Sequence, residues 1–89
     1  MPIIFGGHKV KDYATWRPFF DNDNERRQSY GVKTLKVLQH ADDPNHVFMM
    51  MEVADMNKLQ QLFEDPAMGP IMEQAGALEK PDFTVFNEA

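Results

Sequence analysis

His8 is the side chain of this 89-residue sequence whose type and position best suit chemistry. It closes a run of β-branched and aromatic residues that predicts a strand, and it follows Gly6-Gly7, which indicates a bulge or a close approach to the backbone. An imidazole beside space left for a ligand could transfer protons at neutral pH as a general acid or base. The alternative is a hydrogen-bonded histidine at a sheet edge.

An aromatic stripe follows His8 and could form one wall of a site for a planar molecule. Its members recur at helical spacing and are Tyr13, Trp16, Phe19 and Phe20. Arg17 would add a cation at the rim of that wall. A stripe with this spacing is more often part of a core, so both interpretations stay open.

His40 and Phe48 are a second candidate pair. We predict that they line a shared cavity and contact the substrate there. A solvated histidine beside a turn is the alternative for His40, and His46 belongs to the same turn. The spacing of the three histidines does not match a metal site, and no thiolate is available. We therefore predict neither a metal nor another cofactor.

Charge and cysteine content exclude several classes of function. The formal net charge is -5, and Arg26-Arg27 is the only local basic pair, interpreted here as a solvated helix face with local ion pairs. Nucleic acid and anionic membranes are therefore excluded as partners. The apolar start, residues 2–5, is too short for a signal peptide or a membrane span, so a cytoplasmic protein is expected. The absence of cysteine excludes disulfides and a thiolate nucleophile.

The hydrophobic periodicity predicts one domain over residues 1–89 with the order βαββαβ, an α+β sandwich. The predicted strands are residues 3–10, 33–40, 46–54 and 82–87. A first helix begins at Asp12, or at Thr15 as its cap, and ends before Gly31. Asp55 caps a second helix, which restarts at Asp65-Pro66 and ends at Gly76.

The central hairpin, joined by a turn at residues 42–45, carries apolar residues on both faces. Pairing His40 with Phe48 gives one face Leu35, Val37, Met49, Met51 and Val53, which suits the helices. The same register gives the opposite face Thr34, Lys36, Leu38, His40, Phe48, Met50 and Glu52. Two helical segments can cover only one face, so a second copy or a ligand is expected on the other.

Four segments carry a resemblance to a known family. They are residues 10–16, the turn at 42–45, residues 52–55, and the stretch from Asp65-Pro66 to Ala75-Gly76. Together they resemble the dimeric α/β-barrel superfamily, in particular its small members related to antibiotic biosynthesis monooxygenases. The resemblance implies a ferredoxin-like fold with an antiparallel sheet, and a homodimer in which two sheets pack face to face into a barrel.

The resemblance constrains the function of the chain less than it constrains the fold. Relatives include cofactor-free oxygenases, heme-degrading enzymes, lactone isomerases and polyketide cyclases. The heme-degrading branch uses an Asn on the first strand and a His on the late helix, whereas this chain has Gly6 and His8 on the first strand and no His between Asp55 and Gly76. This departure argues against heme degradation.

The leading hypothesis is a homodimer that holds a small aromatic or polyketide-like molecule between sheet and helices. If it is an enzyme, we expect cofactor-independent proton transfer, cyclisation or monooxygenation, with His8 as acid or base and Tyr13, Trp16 and Arg17 orienting the substrate. The competing hypothesis is a ligand-binding or regulatory module without catalysis. A minor alternative is a tautomerase that uses the Pro2 amine as general base after removal of Met1.

Overall fold

One four-stranded antiparallel sheet organises the chain, and the computed structural model describes all residues 1–89. The strands are β1 (Ile3–Lys9), β2 (Val32–His40), β3 (Asp43–Val53) and β4 (Asp82–Phe86). The helices are α1 (Tyr13–Asn22), α2 (Asn24–Ser29), α3 (Met56–Glu64) and α4 (Met68–Ala75). The strand order across the sheet is β2-β3-β1-β4. The predicted α+β class and ferredoxin-like arrangement are confirmed.

The helices cover one face of this sheet and leave the other open. Burial alternates along β1 and β3, so that Ile4, His8, Met49 and Met51 are buried towards the helices while their neighbours are only half-buried. The covered face and the apolar sides of the helices form a core cluster of 11 residues. Period-two alternation in the strands thus produces one core and one open apolar face.

The register of the hairpin differs from the predicted one. Leu38, and not His40, lies opposite Phe48, and Lys36 lies opposite Met50 instead of Glu52. The connection is shorter than predicted, because β3 begins at Asp43, which pairs with His40. A two-residue turn therefore replaces the predicted turn at residues 42–45.

A register shift between Thr34 and Lys36 places two side chains on the face of the sheet opposite to the predicted one. Thr34 pairs with Met51 on the helix-covered face, where its hydroxyl is buried without a partner, while Leu35 is 41% exposed. Both residues are on the opposite side from the prediction. The extra residue in β2 is the physical cause, since one inserted residue exchanges the two faces of a strand.

The helix ends follow local capping chemistry, with small differences from the predicted starts. Asp12 is the cap of α1 and accepts from the Thr15 amide at 3.0 Å, so Thr15 is not the cap. Asp55 caps α3 as predicted, accepting from the Asn57 amide. Asp65 accepts instead from the Ala67 amide in the turn before α4. Gly76 ends α4 with φ of 82°, a left-handed conformation that glycine adopts without strain.

The glycine pair in β1 is neither a bulge nor an opening for a ligand. Pairing with β3 and β4 runs without a shift through Gly6 and Gly7. A Cβ on Gly6 would collide with the Asp82 carbonyl, and one on Gly7 with the Val47 carbonyl. The close approach expected from the sequence therefore exists, but the approaching group is the backbone of the neighbouring strands.

Candidate functional site

A cavity of about 80 Å³ lies between the covered sheet face and the helices. Of its 17 lining residues, 13 are hydrophobic. The helices contribute Trp16, Phe19 and Phe20 from α1, with Leu62, Phe63, Met68 and Met72 from α3 and α4. The sheet contributes Met49, Met51 and Phe83. Phe19 and Phe63 are also exposed, which places the opening of the cavity beside them.

Three polar side chains line this apolar cavity: His8, Asp23 and Arg27. The largely apolar lining would strengthen any charge interaction made by these groups, because apolar surroundings lower the local dielectric constant. The cavity therefore combines apolar walls with a small number of polar groups, a composition that is typical of small-molecule sites.

His8 is only 3% exposed and lies with the edge of its ring against Trp16, at 5.9 Å between ring centroids. Its Nδ1 lies 3.3 Å from the Lys9 carbonyl oxygen, which fits an Nδ1–H donor and leaves Nε2 as the acceptor. Nε2 has no hydrogen-bond partner in the chain. Burial is the largest influence on the imidazole and lowers its pKa, with smaller opposing effects from the hydrogen bond to the Lys9 carbonyl and from Glu79. Burial thus favours the neutral imidazole.

The lowered pKa of His8 predicts acid-sensitive stability. Between the ordinary histidine pKa of about 6.5 and the lower folded value, the unfolded chain binds a proton that the folded chain does not. The stabilising contribution of the neutral His8 is therefore fully present above this window. As the pH drops through the window, the free energy of unfolding falls by up to about 1.4 kcal/mol per pH unit. Urea unfolding between pH 7.5 and 5 should show this slope.

His8→Asn should flatten the slope, because an amide can still donate to the Lys9 carbonyl but does not titrate. His40→Asn is the matched control and should retain the wild-type slope, since His40 is exposed. An unchanged slope in the His8 variant would assign the acid sensitivity to another group.

Arg27 is a lining residue that the sequence interpretation missed. The prediction of a solvated helix face is wrong for Arg27, because the side chain is buried and its guanidinium carbon lies 3.8 Å from the centre of the Phe20 ring. The chain breaks between α1 and α2 at Asp23, and this break turns Arg27 towards the cavity. Alternating charges in the sequence gave no signal for this burial.

Tyr13 and Arg17 lie outside the cavity. Tyr13 packs edge-on against Trp16, and its hydroxyl accepts a hydrogen bond from Arg17 Nη1 at 2.9 Å. Arg17 also pairs with Asp21 at 2.9 Å on the outer side of α1. Of the predicted aromatic wall, Trp16, Phe19 and Phe20 line the cavity, and Tyr13 supports Trp16 from behind.

His40 and Phe48 lie on the far side of the sheet from His8. Their rings belong to a small stack on the open face, with His46 between them at 5.7 Å from His40 and 4.5 Å from Phe48. The six predicted site residues are therefore divided: His8 and Trp16 share the cavity, Tyr13 and Arg17 lie beside it, and His40 and Phe48 face the opposite direction. Their roles in binding and catalysis remain predictions.

Pro2, the residue of the tautomerase alternative, does not line this cavity. Its carbonyl oxygen accepts from the Val53 amide, which fixes the start of β1 beside β3. None of the helices is long and apolar enough to cross a membrane.

Comparison with solved structures shows the same fold over nearly the whole chain. A proposed antibiotic biosynthesis monooxygenase from Bordetella bronchiseptica superimposes with a TM-score of 0.78 at 6% identity, covering 99% of this chain and 96% of that one. One from Nitrosomonas europaea gives 0.69 at 15% identity, covering 99% and 98%. SnoaB, a cofactor-independent oxygenase from Streptomyces nogalater, gives 0.70 at 13% identity, covering 98% and 91%.

The fold is that of antibiotic biosynthesis monooxygenase-like proteins. The structural resemblance expected from the sequence is thereby confirmed. Comparison of the sequence with protein-family models and with curated proteins finds no match. At identities of 6–15%, the similarity establishes the fold alone.

Proposed function

We propose that the chain binds a small aromatic molecule in the cavity between sheet and helices and oxidises it without a cofactor. The observation that carries the proposal is the unpartnered Nε2 of a neutral, buried His8 in a cavity lined largely by apolar side chains. The fold shared with SnoaB supports the same class of reaction.

The proposed chemistry begins with proton transfer to His8. Nε2 would remove a proton from a hydroxylated aromatic ring, and burial of the site would strengthen its interactions with the resulting anion. That anion would give electrons to dioxygen, which would place one oxygen atom on the ring and leave the other as water. Trp16 and Phe20, stacked at 4.8 Å between centroids, would hold the ring of the substrate.

Methionine methyl NMR tests binding in the cavity directly. Met49, Met51, Met68 and Met72 line the cavity, whereas Met1, Met50 and Met56 do not. With ¹³C-methyl methionine and 1-naphthol as the probe, we expect the first group of signals to shift and the second to stay. The cavity is smaller than most ligand sites, so a two-ring molecule requires these flexible side chains to rearrange. Shifts confined to Met50 would instead place the ligand on the open face.

Oxygen uptake tests the catalytic step. Oxidation of 1-naphthol to the naphthoquinone consumes one dioxygen and releases one water, so an oxygen electrode and the quinone absorbance should agree. His8→Ala should lower the rate at least about 100-fold, the usual contribution of a positioned general base. Methyl shifts with 1-naphthol in that variant would establish that binding persists. A rate unchanged by the substitution would remove His8 from the mechanism.

A ligand-binding module without catalysis is the second candidate. The observation in its favour is that the His8 side chain has no side-chain hydrogen-bond partner with which it could act as a catalytic pair. Methyl shifts in the cavity without oxygen uptake, across a panel of hydroxylated aromatics, would favour this module.

We further propose that a second copy of the chain covers the open face of the sheet. This face exposes large apolar side chains, with Leu38 and Phe86 at 41% and 49%, around the stacked rings of Phe5 and Phe48. Contiguous apolar surface of this kind is unusual for a monomer and typical of an interface. In the resulting barrel, His40 and Phe48 would line the space between the two sheets.

A further inference from the structure

Arg27 has more hydrogen-bonding capacity than the fold uses. Nη2 donates to the Phe20 carbonyl at 2.7 Å, and the guanidinium lies over the Phe20 ring. Nε is buried and has no partner. A buried polar group without a partner is rare in native proteins, because losing water without a replacement hydrogen bond is costly.

The charge of Arg27 is also poorly balanced. Asp23 is the nearest carboxylate, but its oxygen lies 3.8 Å from Arg27 Nη1, too far for a hydrogen bond. Arg26 uses that carboxylate instead, donating to both of its oxygens at 2.8 Å. Asp65, the other acidic partner in this region, accepts from Arg26 and from Tyr30. Arg26 is thus fully paired and Arg27 is not.

Burial lowers the pKa of Arg27 to about 10, with Asp23 offsetting part of the effect and Arg26 adding to it. The group nevertheless remains protonated at neutral pH. A cation with an unpartnered N–H donor is therefore one of three polar groups, with His8 and Asp23, in a cavity whose lining is otherwise largely apolar.

We propose that the ligand of this cavity is a small aromatic acid whose carboxylate binds Arg27. The inference rests on the proposal that the cavity is a ligand site and specifies the class of molecule it takes. A carboxylate would accept from the free Nε–H and neutralise the buried charge, forming a short charge-assisted hydrogen bond. The aromatic part would contact the apolar lining beside Trp16 and Phe20.

A matched pair of probes, 2-naphthoate and 2-naphthamide, tests this class. The two molecules have the same ring and nearly the same shape, and only the first is an anion. Titration followed by the methyl signals of Met49, Met51, Met68 and Met72 gives both dissociation constants. We expect the naphthoate to bind at least about tenfold more tightly, since a hydrogen bond to a charged group is worth about 1.5–3 kcal/mol.

The outcomes separate the two proposals. Equal affinities for the two probes would overturn the role of Arg27 and leave the cavity as a ligand site. The absence of cavity methyl shifts with either probe, or with 1-naphthol, would overturn the ligand site itself and the carboxylate subsite with it.

Two variants assign the preference to Arg27. Arg27→Gln should reduce the preference for naphthoate to about one, while Lys58→Gln removes the same charge from an exposed position outside the cavity and should retain it. Asp23→Asn should instead raise the preference for naphthoate, because it removes the carboxylate nearest to Arg27. It should tighten naphthoate binding several-fold without changing naphthamide, a gain that impaired folding of the Arg27 variant could not mimic. An unchanged ratio in Arg27→Gln or in Asp23→Asn would overturn the assignment.

Discussion

Gly7→Ala is expected to lower the free energy of unfolding by about 3 kcal/mol, at the upper end of the usual cost of overpacking. The added Cβ would collide with the Val47 carbonyl of β3. Backbone at the centre of a sheet cannot move aside as a flexible side chain can. β1 pairs with β3 from Ile3 to Lys9, so separation at Gly7 would strain pairing along the whole strand.

Alanine substitutions at two other glycines show how much of the loss of stability at Gly7 is due to crowding. Gly6→Ala should cost less than Gly7→Ala, because its Cβ meets Asp82 on β4, an edge strand that can shift outwards. Gly69→Ala is the control, because the added Cβ would meet no neighbouring group within 4 Å. The only expected cost comes from its place in α4 directly before Pro70, because a proline disfavours helical backbone angles in the residue before it. That variant should stay within about 1 kcal/mol of wild type. Urea unfolding monitored by far-UV circular dichroism measures all three, and equal effects for the three variants would contradict the model of crowding.

Local signals predicted the elements well because each depends on a few neighbouring residues. Asp55 as a cap and Gly31 and Gly76 as helix ends follow from capping chemistry, and both glycines have positive φ. The apolar alternation of β3 likewise predicted which of its side chains face the helices.

The hairpin register could not be read from the same signals. The predicted turn contained four plausible turn residues, and the chain uses a turn two residues earlier, between His40 and Asp43. The added shift at Leu35 then places Val32 on the covered face opposite Val53, and Thr34 with it opposite Met51. Side-chain direction in a strand depends on such single-residue steps, which composition does not encode.

The candidate site was predictable only where it depended on one element at a time. His8 was placed at the end of β1, and the helical stripe of α1 brought Trp16 against it. The burial of Arg27 depends on how α2 leaves α1 at Asp23, and the separation of His40 from His8 depends on the sheet between them. Both are relations between elements, so residue type and spacing alone do not determine them.

Met50→Glu is expected to weaken the proposed dimer at least about 100-fold. Met50 lies on the central strand β3, between Phe5 of β1 and Lys36 of β2, at the middle of the open face. In a symmetric dimer the substitution would bury two carboxylates, and each unpaired buried charge costs several kcal/mol. In the monomer the new carboxylate would face water and the nearby Lys36 ammonium, so the fold should survive.

The oligomeric state measures this effect independently of folding. Sedimentation equilibrium should give twice the chain mass of 10.3 kDa for the wild type and a single chain mass for Met50→Glu at the same concentration. Leu78→Glu is the control, because Leu78 is a 58% exposed apolar residue outside the strands of the sheet. A dimer lost equally in both variants would assign the effect to net charge. A dimer retained in Met50→Glu would show that a different surface joins the copies and that the open face has another occupant.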